Sequence, residues 1–207
     1  IEPADTSLKP DIVAWFRSLA ADVVRHYETE AGEMSRANNH RYFAALGVGA
    51  AAVAAQDEAL FGWAAGTLRT ALCSAEESGA LPLEMRRGPR ARHYQLFATG
   101  PLVILAELSA GNGGDPYGEC DGGLRRIIDF GLASLDDPSA VEEIAGGGQI
   151  ALPPPKKRGS LLAWLAPYAR RFPESPAASL LEDIGRPSST ALGGNQALLY
   201  PEAPNVR

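Results

Sequence analysis

The sequence predicts an all-α protein built from long helices in antiparallel pairs. Apolar residues recur at the helical period along most of the chain, and no stretch sustains the two-residue alternation with β-branched enrichment that marks a strand. Gly- and Pro-rich breaks separate the periodic segments, as short connections between neighbouring helices require.

The first helix is expected over Asp11–Thr29, where Ile12, Phe16, Leu19, Ala20, Val23 and Tyr27 share a face and Lys9-Pro10-Asp11 supplies a start. Gly32 closes it. A second helix begins near Asn38 or Asn39, both good capping residues, and runs through the alanine-rich Ala44–Ala55. That stretch is apolar nearly all round, so it should be buried on more than one side. Asp57 caps a third helix through Phe61, Ala64, Leu68 and Leu72, followed by a loop over Glu76–Pro82. Another long apolar helix spans about His93–Ala110, and Gly111-Asn112-Gly113-Gly114-Asp115-Pro116 then breaks the chain. Leu124, Ile127, Ile128 and Leu132 mark a helix over Gly122–Ser134. Pro138 and Gly146-Gly147-Gly148 mark turns, and Pro153-Pro154-Pro155 a stiff spacer. Two shorter helices, Leu161–Arg171 and Ala177–Ile184, precede a Gly/Pro-rich tail.

The 207 residues, 45% of them hydrophobic and 21% charged, can bury a sizeable core, which excludes a mainly disordered chain. No apolar run reaches the roughly 18–20 residues of a membrane helix, so no membrane partner is expected. Nineteen Lys and Arg against twenty-five Asp and Glu give a net charge of −6, which speaks against nucleic acid as a partner. A polyanionic ligand stays compatible, because charge can be segregated locally. Cys73 and Cys120 are too few for a disulfide scaffold or a zinc site; they pair in an oxidising compartment or stay as buried thiols. The chain starts at Ile1 with no basic-then-apolar leader, so either a leader has been removed or this is a piece of something longer.

Polar residues interrupt the helical pattern in three places. Asn38-Asn39-His40-Arg41-Tyr42 stands at the mouth of the second helix, where capping is the simpler reading. In Arg86-Arg87-Gly88-Pro89-Arg90-Ala91-Arg92-His93-Tyr94 four arginines fall within seven residues. They form either a solvated basic loop or a site for an anionic ligand, since Arg binds carboxylates bidentately. Lys156-Lys157-Arg158 reads as an exposed loop, and His26 as a partner for the carbonyls that end the first helix. No phosphate loop, nucleophile elbow, HExxH or CxxC occurs. A His, a Tyr, an Asn and an Arg together suit proton abstraction next to a carboxylate: neutral and cationic donors neutralise the acid, and a Tyr or His moves the proton. That chemistry needs no metal and no organic cofactor.

These residues resemble a known family. Asn38-Asn39-His40-Arg41-Tyr42-Phe43-Ala44-Ala45 is similar to the NNH-x-Y-W-A-A segment of the family 5 polysaccharide lyases, the mannuronate-specific alginate lyases. The similarity continues in order through Leu60–Ala64 (LFDWA in the family), Gly79–Tyr94 (G-x-LPLE-x-x-RG-x-RALHYH), Pro101–Glu107 (PLVMIAE), Leu161–Tyr168 (LAWLEPY) and Leu192-Gly193-Gly194 (LGGD). The resemblance implies an α/α toroid, here an incomplete barrel of antiparallel helix pairs, with residues 1–207 as the C-terminal part of the domain and an N-terminal half expected from elsewhere in the same protein. It implies β-elimination on alginate, preferably polymannuronate, leaving 4,5-unsaturated uronate ends, in the periplasm or outside the cell. In it, Asn39 and Arg87 neutralise the substrate carboxylate, His40 assists or acts as base, and Tyr94 deprotonates C5 and protonates O4. Arg90 and His93 join Asn39 and Arg87 in substrate binding. Gln95 stands where the family commonly has a second His, Arg92 where it has an apolar residue, and Phe97 where a Tyr is common. A lyase for another polyuronate such as glucuronan, or a non-catalytic helical carbohydrate-binding fragment, is the alternative reading.

Overall fold

Local chemistry sets the start of each long helix. In the computed structural model, which describes residues 9–200, Pro10 opens α1 (Pro10–Thr29) at the position where a missing N–H costs nothing. Residues 1–8 and the end of the Gly/Pro-rich tail, 201–207, lie outside the described residues. Asn38 caps α2 (Asn39–Ala55), its side-chain oxygen accepting the His40 N–H at 3.0 Å. Asp57 caps α3 (Glu58–Ser74) by accepting from Leu60 N–H at 3.1 Å. The same carboxylate takes Arg17 Nε at 3.0 Å while Arg17 Nη2 donates to the Ala55 carbonyl, so one α1 arginine pins the α2–α3 corner.

A short helix α4 (Pro82–Met85) and a single 3₁₀ turn at Gly88–Arg90 lead into α5 (Ala91–Gly111). α5 is the hub of the core. Leu96, Leu102, Val103 and Leu105 are fully enclosed, and the helix packs against α2, α3, α4, α6 and α8. The alanine-rich α2 lies between α1, α3 and α5, as its all-round apolarity requires. Gly49 lets α2 come close to α5 and α3: a Cβ there would stand 2.9 Å from Leu105 Cδ1 and 3.4 Å from Ala64 Cβ.

Beyond α5 come α6 (Glu119–Asp136), α7 (Ser139–Ala145), α8 (Leu165–Arg171), α9 (Pro176–Ile184) and α10 (Gln196–Leu199). Trp164, Leu162 and Leu165 are fully buried beneath this end of the chain. Glu107 of α5 anchors it, receiving a bidentate pair from Arg171 at 2.6 and 2.8 Å and the Tyr117 hydroxyl at 2.6 Å. A disulfide joins Cys73 at the end of α3 to Cys120 at the start of α6, which decides between the two expectations for these cysteines.

The all-α expectation holds, with a two-residue antiparallel pair, β1 (Ser188–Ser189) and β2 (Gly194–Asn195), as the only sheet among the described residues. Several boundaries moved for local reasons. α5 starts at Ala91, so Arg92 is a helix residue and not part of a loop. α6 is regular only after Cys120, Asp121 and Gly122, where the expected Gly122–Ser134 helix begins; these three adopt left-handed backbone (φ 53°, 55° and 72°), and Arg126 holds the carbonyls of the first two. The helix expected from Leu161 is helical from Leu165, because residues 159–164 form successive turns. α7 was not anticipated: seven residues between Pro138 and Gly146 carry too short a period to stand out. His26 pairs with the Glu30 carboxylate at 3.1 Å, so its side chain does not serve the α1 carbonyls.

Gly79 offers a direct check on the packing. It turns at φ +93°, and a Cβ there would fall 2.0 Å from the Arg126 carbonyl oxygen. Gly79→Ala should therefore cost more than the roughly 1 kcal/mol of an ordinary Gly-to-Ala conformational penalty, whereas Gly88→Ala, also left-handed at φ +56° but in open space, should cost no more than about that. Denaturant unfolding midpoints of the two variants test the order.

Candidate active site

The two asparagines at the mouth of α2 do different things. Asn38 is the cap. Asn39, also buried, turns the other way: its backbone N–H donates to Glu84 Oε1 at 2.8 Å, and its Nδ2 donates to Oε1 at 3.1 Å and Oε2 at 3.0 Å. Glu84 lies on α4 and is completely enclosed. Burial raises its pKa above the usual carboxylate range, and the Asn39 hydrogen bonds and the Arg87 charge pull it partly back.

Arg87 comes from the turn that follows α4. Its Nε stands 3.5 Å from Glu84 Oε2, an ion pair too long for a close hydrogen bond, and its guanidinium carbon sits 4.4 Å above the centre of the Tyr94 ring. Arg87 Nε and Nη2 are enclosed without a hydrogen-bond partner. Tyr94, in the first turn of α5, is wedged edge-on against His93 (5.7 Å) and Phe97 (6.4 Å), and Phe97 packs on Phe43 of α2 at 4.7 Å. Asn39 and Arg87 thus meet at one carboxylate, and Tyr94 lies against the Arg87 guanidinium, although 55 positions separate Asn39 from Tyr94.

His40 follows Asn39 on the exposed side of α2; its backbone carbonyl accepts from the Tyr27 hydroxyl at 3.0 Å. Among the described residues its ring makes no hydrogen bond. His93 is exposed with its ring stacked on Phe97 at 6.1 Å; partial burial, then the Arg90 charge, lower its pKa. Arg86 and Arg90 face solvent. Arg92 overturns the reading of these arginines as one solvated loop: it is buried, with Nη1 and Nη2 donating to the Ser134 and Ile150 carbonyls at 3.3 and 3.1 Å. Lys156 and Lys157 are exposed as expected.

Two polar residues have roles that the sequence reading does not assign. Glu84 stood only as a letter inside the LPLE stretch. Gln95, also fully buried, accepts from Leu81 N–H at 2.9 Å and donates to the Gly79 and Ile127 carbonyls, fixing the loop that delivers α4. A buried polar side chain on the apolar face of a long helix was the available signal for Gln95; Glu84, on a four-residue helix, offered no such period. Among the described residues no three His, Cys, Asp or Glu side chains cluster as metal ligands, and no helix is long and apolar enough to cross a membrane.

The alginate lyase family profile matches residues 4–141, two thirds of the chain. The chain belongs to the alginate lyase family. It is 35% identical over 190 residues to an alginate lyase of Pseudomonas syringae pv. syringae (strain B728a) and 33% identical to one of Cobetia marina, covering 91% of this chain in each case. Those stretches are 49% and 50% of the two relatives, so the chain spans about half the length of the curated family members it matches. Its fold superposes on alginate lyase A1-III of Sphingomonas species A1 with a TM-score of 0.82 and 25% identity, over 98% of this chain and 57% of that one. A tetrasaccharide complex of a variant of that enzyme superposes equally well. The helices therefore form part of an α/α toroid, the family's architecture.

The arginines separate experimentally. Arg92→Ala leaves the Ser134 and Ile150 carbonyls without their charged donor and should lower stability by roughly 1.5–3 kcal/mol. Arg90→Ala, at an exposed position, should stay within about 0.5 kcal/mol of the parent in the same denaturant titration. By removing a like charge, it should also raise the His93 pKa, read by NMR titration.

Proposed function

We propose that the protein to which this chain belongs cleaves alginate, preferably polymannuronate, by β-elimination. What supports this is the meeting of Asn39 and Arg87 at Glu84, with Tyr94 against the Arg87 guanidinium, in a member of the alginate lyase family. Abstraction of the C5 proton of a uronate drives negative charge onto its carboxyl group. Arg87, whose side chain keeps 23% of its surface exposed beside the enclosed Nε and Nη2, and Asn39 are the donors that receive that charge. The Asn39 amide carries two hydrogens; one bifurcated between the Glu84 oxygens leaves the other for the substrate.

Tyr94 then takes the C5 proton and delivers a proton to the leaving O4. In mannuronate the two lie on the same face of the ring, so one hydroxyl serves both. The C5–H and C4–O4 bonds break, a C4=C5 double bond forms, and the proton count balances without a cofactor. His40 assists at the carboxylate, and Arg90 and His93 hold neighbouring uronates.

The rest of the groove is assigned to an N-terminal half of the same domain. An apolar furrow between α1 and α2, walled by Phe16, Leu19, Val23, Ala44, Val48 and Ala51, supports this. Beside it, Ile12, Trp15 and Leu19 are 40%, 60% and 48% exposed, a surface that packed helices would cover. A periplasmic or secreted location is supported by the Cys73–Cys120 disulfide, since such bonds persist in oxidising compartments.

The whole protein, given polymannuronate with a chelator present, should generate the ultraviolet absorbance of a conjugated unsaturated uronate. Tyr94→Phe should abolish most turnover with KM little changed, because only the transferable proton is lost. Asn39→Ala should lose about 2.7–4 kcal/mol of transition-state stabilisation. New reducing ends without the absorbance would mean hydrolysis; absorbance from glucuronan but not alginate would change the substrate; binding without turnover would make this a carbohydrate-binding module.

A further inference from the structure

We propose that Glu84 is the positioning residue of this site, a carboxylate that touches no substrate and sets both of the groups that neutralise the uronate. The inference rests on the elimination reading and deepens it. Four features carry it. Glu84 has no exposed surface, so it cannot meet a polymer in the groove. It receives three hydrogen-bond contacts from Asn39, which fix the amide's rotation and orientation: both oxygens accept from Nδ2, so the amide nitrogen and not its oxygen faces the carboxylate. It stands 3.5 Å from Arg87 Nε, close enough to hold the guanidinium electrostatically and too far to consume its hydrogen-bonding edge. Arg87 in turn sits over the Tyr94 ring, its guanidinium carbon 4.4 Å from the ring centre.

A shorter ion pair would have spent the arginine on the protein. An absent one would let a flexible side chain swing off the tyrosine face and would leave the amide free to flip. The arrangement keeps Arg87 in place with its remaining donors unspent. Tyr42, buried on α2, feels the Glu84 charge in its turn: burial first, and then that charge, raise its pKa and hold it neutral.

The same geometry distinguishes positioning from scaffolding. Glu84→Gln keeps shape and one acceptor oxygen, but it turns a donor towards Asn39 Nδ2 or Arg87 Nε and removes the charge. Gln is neutral, so it avoids the desolvation that raises the Glu84 pKa, and the variant should fold. In the whole protein assayed on polymannuronate, kcat should fall about a hundredfold, the order of loss for displacing catalytic groups by an ångström, with KM little changed and the thermal midpoint kept. The loss should not multiply with that of Arg87→Ala: once the arginine is gone, Glu84→Gln should cost less than it does alone, because the share exerted through Arg87 is already lost and only the share exerted through Asn39 remains. Glu84→Asp, with the charge kept but withdrawn by one methylene, should fall between.

Turnover of Glu84→Gln close to the parent's, or losses that simply multiply, would overturn the positioning role while leaving the lyase reading intact. Failure of both Glu84 variants to fold would make the residue scaffold and overturn it as well. A parent protein that eliminates no polyuronate would sink both.

Discussion

A carboxylate sealed from water must be given back the hydrogen bonds it has lost, and the centre of this molecule is arranged around that requirement at Glu84. Burying an unpaired charge costs several kcal/mol even after relaxation. Here the compensation comes from two separate parts of the chain, the first residue of α2 and the turn after α4, and the first turn of α5 backs the second by placing the Tyr94 ring under the Arg87 guanidinium. Each supplier is itself fixed. Asn38 caps α2 so that Asn39 can face inward, Gln95 holds the loop that delivers α4, and Phe97 braces Tyr94 against Phe43. Loosening any of them would loosen the others, because they meet at one group.

The arginine-rich stretch shows how one residue type serves unlike ends when the backbone turns beneath it. Arg86 and Arg90 remain hydrated, Arg87 is drawn beside a carboxylate and over an aromatic face, and Arg92 runs into the interior to hold two carbonyls. The 3₁₀ turn at Gly88–Arg90 creates the division by rotating successive side chains away from one another. Four guanidinium groups in one dry cavity would repel and go unsatisfied; spread over separate environments they do not.

Much of this was readable from residues alone. The periods of α1, α2, α3, α5 and α9, and the caps Asn38 and Asp57, lie close to where the pattern put them, since long amphipathic or apolar runs decide their own structure. The left-handed run at Cys120-Asp121-Gly122 was not readable: two of its three residues are not glycine, and a disulfide and Arg126 hold them there. Nor was α7, whose seven residues rest on tertiary contacts. At the site, Asn39, Arg87 and Tyr94 were legible as chemistry, and what gathers them was not. A single Glu in a four-residue helix carries no period, and its burial is a property of the assembled fold.

The enclosed carboxylate also bears on which reaction the site can run. Hydrolysis of a glycoside by the usual route takes two carboxyl groups flanking the bond, one of them able to reach the leaving oxygen. Glu84 is shut behind Asn39 and Arg87, with both oxygens engaged, so it is in no position to be either partner. The groups of this chain proposed to face a sugar are neutral or cationic: an amide, a guanidinium, a phenol and two imidazoles. Such a set stabilises charge arriving on a carboxylate and moves a proton, but it offers no anionic nucleophile or base of the glycosidase kind. By spending its one buried acid on holding the cation and the amide, the site becomes suited to an anionic transition state. That is the demand of the proposed elimination on a polyuronate.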